Sequence, residues 1–311
     1  MEKELILVTG AAGFIGGAVA RKLISLGYEI VTVDNLSTGY RENIPDGVNF
    51  IEGNVYDKEV IKKLSQFNFH AIMHIAGQSS GEISFDDPVY DLQTNTQSTL
   101  LLMQFARENR CKKFIYASTM SVYGLQPEGA VSENSIAVPQ SFYAVGKLAS
   151  EQYMRINAVN DSSCIALRLF NVYGPGQNME NMRQGMISIY MGQAFKNGHI
   201  HVKGDKHRFR DMIYIEDVCN AFLAVLKYEY TGFDYFNVCT KVKTTVGNAV
   251  ESIQKLFPQP ITVNYEGSTA GDIFGIYGDY QKLTQKTGWA PETNFQTGLK
   301  KMYDWINSQK K

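Results

Sequence analysis

Near the start of the chain stands Leu5-Ile-Leu-Val-Thr-Gly10-Ala-Ala-Gly13-Phe-Ile-Gly16, an aliphatic run followed by three glycines at a spacing of three. Short unbroken aliphatic runs are typical of parallel strands that are covered on both faces. After the glycines, apolar residues recur at helical intervals, at Ile15, Val19, Leu23 and Leu26. The pattern predicts a buried strand, a tight turn and a helix.

Each glycine has a physical role in such a turn. Gly10 permits the tight turn, Gly13 leaves the amides at the helix N-terminus open to an anion, and Gly16 lets the helix lie close to the strand. These are the requirements for binding the pyrophosphate of a dinucleotide. An ordinary glycine-rich turn is the alternative.

The next strand supports the dinucleotide interpretation. We expect it at residues 28–33, ending at Asp34, where a carboxylate would bind the adenosine ribose hydroxyls. No arginine directly follows Asp34 to neutralise a 2′-phosphate. The sequence therefore predicts NAD rather than NADP.

Composition limits the possible partners. The chain has 311 residues, 44% of them hydrophobic, and a formal net charge of −1. Neither a basic patch for nucleic acid nor an apolar run long enough to span a membrane is present. The four cysteines are widely spaced, which favours reduced thiols over a zinc site. We expect a cytoplasmic protein whose partners are small molecules or further copies of itself, without a metal.

Strands and helices alternate through the first half of the chain. Further strands are predicted at residues 48–53, 71–75, 113–117 and 164–169, with helices at about 57–66 and 88–110. The apolar face of the second helix would run through Leu92, Thr96, Leu100, Met103 and Ala106. This alternation predicts an α/β fold, a Rossmann-type doubly wound parallel sheet whose ligands lie beyond the carboxyl ends of the strands.

Two reactive side chains follow the strand at residues 113–117. Tyr143 and Lys147 are four residues apart on a helix introduced by Pro139 and Ser141, so both can address one site. Ser118 and Thr119 end the preceding strand. A solvated surface pair is the alternative for Tyr143 and Lys147.

Together these motifs resemble the extended short-chain dehydrogenases/reductases, specifically the nucleotide-sugar epimerase/dehydratase family. The resemblance covers essentially the whole chain. Besides the glycine motif it rests on residues 34–39, 74–77, Asn95, 118–124, Tyr143, Lys147, 168–176, Gly204, Asp205, Arg210, Asp211, 214–217, 236–238, Gly271, Asp272, Gly288, Trp289 and Trp305.

The resemblance implies a role for each matching residue. Tyr143 would be the general base, Lys147 would lower its pKa and hold the nicotinamide ribose, and Thr119 would hydrogen-bond the reacting oxygen. The implied NAD-binding residues are Gly10, Gly13, Phe14, Ile15, Gly16, Asp34, Asn35, Ser37, Thr38, Asn54, Val55, Ile75, Ala76, Gly77, Gln78, Asn95, Ala117, Ser118, Tyr143, Lys147 and Phe170. The implied substrate-binding residues are Ser79, Thr119, Met120, Ser121, Tyr143, Asn171, Arg210 and Asp272.

Several of these residues also have ordinary structural alternatives. Thr119 could simply cap a strand end, and Phe170 and Asn171 could be strand-end packing. Arg210, the implied pyrophosphate ligand, could form a surface salt bridge with Asp211.

The family comparison also implies a division into domains. Residues 1–172 would form the NAD-binding domain, with a return segment at about 213–240. Residues 173–212 and 241–311 would form a smaller, mainly C-terminal α/β domain that binds a nucleotide-diphosphate sugar. Helices at 92–110 and 143–159 could pair with a second copy in a homodimer or larger homo-oligomer.

Departures from the family pattern limit which of the family's reactions we expect. Met120 and Ser121 replace the acidic pair of the dehydratases, and no Cys-His pair stands where the epimerase-reductases need one. Thr269 replaces a usual arginine, and Asn54 a usual aspartate. We predict an NAD-dependent oxidoreductase that acts as a nucleotide-sugar 4-epimerase. The alternatives are a C4 dehydrogenase that releases the 4-keto sugar and a catalytically silent NAD-binding protein.

Overall fold

The computed structural model describes residues 4–158, 162–267 and 273–309. Within these ranges the strands are β1 (Leu5–Thr9), β2 (Glu29–Asp34), β3 (Asn49–Glu52), β4 (Ala71–His74), β5 (Lys113–Thr119), β6 (Ser163–Leu169), β7 (Asn171–Tyr173), β8 (His199–Lys203), β9 (Phe209–Arg210), β10 (Met212–Tyr214), β11 (Gly232–Val238), β12 (Thr244–Thr245), β13 (Thr262–Glu266) and β14 (Gly275–Ile276). The helices are α1 (Phe14–Ser25), α2 (Lys58–Leu64), α3 (Pro88–Leu92), α4 (Ser98–Glu108), α5 (Phe142–Asn157), α6 (Met186–Asn197), α7 (Ile215–Lys227), α8 (Val246–Gln254), α9 (Gln281–Thr287) and α10 (Phe295–Gln309).

Seven parallel strands form the main sheet, in the order β3-β2-β1-β4-β5-β6-β11. The chain runs outward from β1 to β3 and then returns to β4 on the other side of β1. The carboxyl ends of β1 and β4 therefore form the switch point at which doubly wound sheets bind ligands. The predicted doubly wound fold is confirmed.

The aliphatic run in β1 lies at the centre of this sheet. Ile6, Leu7 and Val8 are fully buried, with Ile6 and Val8 packing into one core cluster and Leu7 into another. Alternating side chains therefore enter the cores on opposite faces of the sheet, as expected for a strand with helices on both sides.

The helix predicted at residues 88–110 is not a continuous α-helix. It consists of α3, a π-helical turn at Gln93–Gln97, and α4. Leu92 and Leu100 are 56% and 38% exposed, so the expected apolar face is wrong at these two positions, whereas Thr96, Met103 and Ala106 are buried as expected. The helix instead turns polar residues inward, where Asn95 and Ser98 are buried and hydrogen-bonded.

Small sheets form much of the C-terminal part. β10 pairs with β7, β13 with β8, and β9 lies between β12 and β14. The fold thus has the expected smaller α/β part, while the domain boundaries stay a prediction. Thr269, Gly271 and Asp272 lie outside the described residues. Within the described ranges, no helix has the length and apolar character needed to cross a membrane.

Candidate active site

A cavity of about 320 Å³ lies at the switch point. Its lining contains these predicted residues: Gly10, Gly13, Phe14, Ile15, Gly16, Asp34, Asn35, Ser37, Thr38, Asn54, Val55, Ile75, Ala76, Gly77, Gln78 and Ser79. The cavity brings together the ends of β1, β2 and β4. It is thus a cleft shaped by the glycine turn on one side and the loop after β4 on the other.

Steric contacts explain two of the glycines. A Cβ on Gly16 would lie 2.1 Å from the carbonyl oxygen of Gly10, and a Cβ on Gly10 would lie 2.8 Å from the Ala76 amide nitrogen. Gly13 is the N-cap of α1, and no side chain of the described residues caps that end. The amides at the start of α1 are therefore available to an anion in the cleft.

Asp34 lies at the end of β2 and is held by the glycine turn. Its carboxylate accepts hydrogen bonds from the amides of Ala12 and Leu36, both at 2.9 Å. Burial raises the pKa of this carboxyl, and the two amides offset part of that rise. The residues at this end fit NAD, because the glycine cradle would admit a pyrophosphate and Asp34 presents an acceptor at the ribose position.

Asn54 is already engaged by its neighbours. Its side-chain oxygen accepts a hydrogen bond from Asn35 at 2.7 Å, and its side-chain nitrogen donates to Asp57 at 3.0 Å. One of the two side-chain N–H donors is thus directed to Asp57, and the oxygen retains one free lone pair.

The predicted catalytic residues meet at the buried end of β5. The Lys147 ammonium donates a 2.9 Å hydrogen bond to the Ala117 carbonyl and lies 5.8 Å from the centre of the Tyr143 ring. Burial lowers the pKa of Lys147 to about 8, against the opposing effects of Asp91 and Glu151. The two side chains therefore share one site, and they are not the solvated surface pair of the alternative.

The pKa of the Tyr143 phenol is high in the protein without a cofactor. Burial raises the pKa of its phenol to about 12, and a hydrogen bond with Thr119 only partly offsets this. The lowering of this pKa expected from Lys147 together with the positive nicotinamide stays a prediction, because in the protein alone desolvation of the phenolate dominates.

Thr119 has the structural role named as its alternative. Its hydroxyl oxygen accepts a hydrogen bond from the Ser121 amide at 3.1 Å and so caps the short turn at Met120–Tyr123. The same oxygen contacts Tyr143. Capping therefore positions Thr119 beside the phenol, and Met120 and Ser121 follow directly in the turn.

Asn95 and Ser118 differ in what they present to the cleft. The Asn95 side-chain nitrogen donates to the Gln78 carbonyl, while its Oδ1 atom is buried and has no partner among the described residues. Such an orphaned acceptor beside the Gly77 backbone suits a ligand donor. The Ser118 hydroxyl instead donates to Glu151, away from the cleft.

Neither the three catalytic candidates nor Phe170 and Asn171 are among the residues that line the cavity. Phe170 packs in a small buried cluster with Tyr123 and Cys239, which corresponds to its structural alternative. The Asn171 side-chain oxygen is buried without a partner among the described residues.

Arg210 and Asp211 are separately engaged. The Arg210 guanidinium donates to the carbonyls of Phe209, Ile273 and Phe274. Asp211 is fully buried and accepts hydrogen bonds from the backbone amides of Thr240 and Lys241. Burial of Asp211 contradicts the idea of a surface salt bridge between these two residues.

Sequence reasoning missed one wall of the cleft. This wall comprises Tyr40, Asn43, Tyr56, Tyr90, Gln177, Asn178, Asn181 and Gln184. Asn178 donates to the Tyr40 hydroxyl at 3.1 Å, and Gln184 donates to the Ser79 hydroxyl. The amide-rich run after Gly176 was the available signal, but it has no periodicity that would place it over the cleft.

Comparisons with known proteins agree over nearly the whole chain. Residues 6–239 match the model of the NAD dependent epimerase/dehydratase family. The chain is 30% identical to the UDP-glucose 4-epimerase of Mycolicibacterium smegmatis, covering 97% of this chain and 98% of that protein. It is similar to the structure of the Thermotoga maritima UDP-glucose 4-epimerase with UDP-glucose, with a TM-score of 0.93, 31% identity, and 99% and 100% of the two chains covered. For the Thermus thermophilus UDP-glucose 4-epimerase complex with NAD, the TM-score is 0.91 at 30% identity, with 97% and 99% covered.

Proposed function

The chain belongs to the NAD-dependent epimerase/dehydratase family, and we propose that it interconverts the C4 epimers of a nucleotide-diphosphate hexose. The observation that carries this proposal is the meeting of Thr119, Tyr143 and Lys147 at the carboxyl end of β5, where Lys147 lies next to Gly77 of the cleft lining. The relatives named as UDP-glucose 4-epimerases support a UDP-hexose as the substrate.

Tyr143 would remove the proton from the C4 hydroxyl of the sugar. Bound NAD supplies the acceptor, and afterwards the donor, of the hydride at C4. Its positive charge would add to that of Lys147 and lower the pKa of the Tyr143 phenol, which burial raises in the protein alone. Thr119, which is hydrogen-bonded to the phenol, would hold the reacting oxygen and pass its proton to Tyr143.

The residues next to Thr119 do not support elimination of water from the sugar. Elimination of water from the sugar needs an acid to protonate the leaving hydroxyl. Met120 has no ionisable group and Ser121 is engaged with Thr119. Oxidation at C4 followed by reduction on the opposite face is therefore the reaction these residues support.

Other residues would hold the substrate. Asn171 offers a buried acceptor without a partner among the described residues, and Arg210 provides a cation suited to phosphate. Ser79 lines the cleft in the loop after β4, and Ser121 follows β5 in the turn that Thr119 caps. Asp272 stays a sequence-based proposal.

We also propose a homodimer located in the cytosol. Exposed Phe85, Val89 on α3 and Phe142 on α5 form an apolar patch that would pair with a second copy. The four cysteines are buried free thiols, which suits a reducing compartment.

The test is incubation of the purified protein with UDP-, GDP-, CDP- and dTDP-hexoses, with products identified by NMR and absorbance followed at the NADH band. We expect a C4 epimer and no lasting NADH. Lasting NADH with a 4-keto sugar would identify a net dehydrogenase, and bound NAD without turnover of any sugar would identify a silent binding protein.

A matched pair of variants assigns the proton transfer. Tyr143→Phe should lower kcat by about 100-fold or more while NAD still binds, because the phenol oxygen is lost. Tyr153→Phe, on the same helix but partly exposed, should keep full activity. Retained turnover in Tyr143→Phe would contradict the assigned role.

A further inference from the structure

Glu151 and Arg168 form an ion pair beneath the candidate active site. Their side chains are 1% and 4% exposed. Arg168 Nε lies 3.0 Å from Glu151 Oε1, and Arg168 Nη2 lies 2.6 Å from Glu151 Oε2, so the guanidinium binds the carboxylate through two parallel hydrogen bonds. This pair takes no part in the reaction proposed above.

The pair connects the elements that carry the reactive residues. Glu151 lies one helical turn after Lys147 on α5, and its Oε1 atom accepts a 2.5 Å hydrogen bond from Ser118, the residue before Thr119 on β5. Arg168 comes from β6, where its guanidinium lies 4.8 Å from the Tyr123 ring centre and 4.1 Å from that of Tyr235. The carboxylate of Glu151 is thus the common point of α5, β5 and β6.

Stability alone does not account for such a pair. Removing two charges from water is costly, and apolar packing of similar volume often gives equal or greater stability. We propose that Glu151 is a positioning residue for the 4-epimerase reaction. It holds α5 against the end of β5, so that Tyr143 and Thr119 address the same substrate oxygen, and its carboxylate helps to keep Lys147 charged. The proposal rests on the proposed function.

The groups around Lys147 determine how strongly the Glu151 charge affects its pKa. The groups that face it are Asp91 on α3, Glu151 and Tyr143 on α5, Tyr116 on β5 and His74 on β4. Burial lowers the pKa of Lys147 to about 8, while Asp91 and Glu151 raise it. His74 is held neutral at physiological pH by burial, since its pKa is lowered to about 3. Loss of the Glu151 charge would therefore remove one of the two carboxylates that raise the pKa of Lys147, and it would also leave the Arg168 guanidinium without this ion-pair partner.

The direct test is Glu151→Gln, which keeps the shape and an acceptor for Ser118 but removes the charge. We expect the titration midpoint of Lys147 to fall by about 1 pH unit. The titration is followed through the NMR signal of the labelled ε-carbon of Lys147, and that signal is assigned by its loss in Lys147→Met. From that shift, the ratio of wild-type to variant kcat/KM should grow about fivefold between pH 6 and pH 8.

Two controls separate positioning from general damage. Glu216→Gln changes an exposed glutamate that faces Lys22 and Lys301, and it should leave both the titration and the kcat/KM unchanged. Ser118→Ala removes the hydroxyl without changing any charge, so its kcat/KM ratio should be the same at every pH.

A parallel pH profile for Glu151→Gln, with the Lys147 midpoint unmoved, would overturn the proposal. If this variant does not fold, Glu151→Gln with Arg168→Met removes both charges, and the Lys147 midpoint should fall by less than 1 pH unit, because a cation that opposes the ammonium is removed as well. The titration needs no turnover, so it decides whether Glu151 supports the charge of Lys147 even if the wild-type chain converts no nucleotide sugar. That last result would count against the proposed function alone.

Discussion

The Thr9 hydroxyl and His74 Nδ1 are joined by a 2.9 Å hydrogen bond where β1 and β4 end. Thr9 Oγ1 also accepts hydrogen bonds from the amides of Ile75 and Ala76, both at 3.1 Å, so its single proton goes to His74. His74 Nε2 then carries the ring proton and donates to Ser98 Oγ at 3.0 Å. One threonine thus fixes both the histidine tautomer and the loop that lines the cleft.

Thr9→Val should lower the stability of the fold substantially. The substitution keeps the shape but leaves His74 Nδ1 and two loop amides without their partner, and each buried unsatisfied group costs about 1–3 kcal/mol. Thr32→Val is a matched control, because Thr32 is equally buried but makes one bond, to the Val8 carbonyl. Urea unfolding should show a loss about 2 kcal/mol larger for Thr9→Val. Equal losses would contradict this role of Thr9.

His74 should make the fold less stable in acid. Burial lowers its pKa to about 3, from an ordinary value of 6.5. Between these values the unfolded chain binds a proton that the folded chain does not, so stability falls as the pH falls below 6.5. From pH 7 to pH 5 this histidine alone should account for a loss of about 2 kcal/mol. In His74→Asn the free energy of unfolding should change correspondingly less over this range, and identical pH dependence would refute the assignment.

Gly16→Ala should damage both folding and NAD binding. The new Cβ would lie 2.1 Å from the Gly10 carbonyl oxygen, a backbone atom that moves only if the turn itself moves. We expect a loss of about 3 kcal/mol in urea unfolding and weaker NAD binding by calorimetry. Gly247→Ala in α8 is the control, since its Cβ meets only ordinary contacts from 3.4 Å outward. It should gain about 0.5 kcal/mol, and a similar loss at both sites would contradict the steric argument.

Asp34→Asn should reduce the preference for NAD over NADP. The neutral side chain can no longer repel a 2′-phosphate, and it accepts hydrogen bonds from the ribose less strongly than a carboxylate does. Calorimetry should show NAD binding about tenfold weaker, with NADP binding weakened less or improved. Asp304→Asn, in an exposed pair with Lys300, should bind NAD as the wild type does. Equal binding of NAD and NADP by the wild type would refute the role of Asp34.

Sequence patterns predicted the large sheet because the features that specify it are local in the sequence. The aliphatic run at residues 5–8, the glycine spacing and Asp34 each require a particular backbone at a particular place. The same reasoning failed for residues 88–110, because apolar spacing does not show that hydrogen bonds can draw a polar face inward. Asn95 and Ser98 are buried there, while Leu92 is exposed.

The site was predictable in its parts but not in its electrostatics. The motif match alone predicted that Tyr143, Lys147 and Thr119 share one site. The net direction of the Tyr143 pKa depends on how fully the phenol is desolvated, which no spacing shows. The pairing of Glu151 with Arg168 likewise joins elements whose contact depends on the completed sheet.

Val89→Glu should separate the proposed dimer into monomers. Val89 is 65% exposed on α3, beside exposed Phe85, and Phe85 contacts Phe142 of α5 with ring centres 5.5 Å apart. Apolar residues that cluster on a surface in this way mark an interaction site, and a two-fold interface would place a charge on each copy within it. Light scattering should give the wild type twice the chain mass of 34.9 kDa and the variant a single chain mass. Leu125→Glu, at a leucine 64% exposed elsewhere, should stay dimeric. A monomeric wild type would refute the dimer, and a dimeric Val89→Glu would place its interface on another surface.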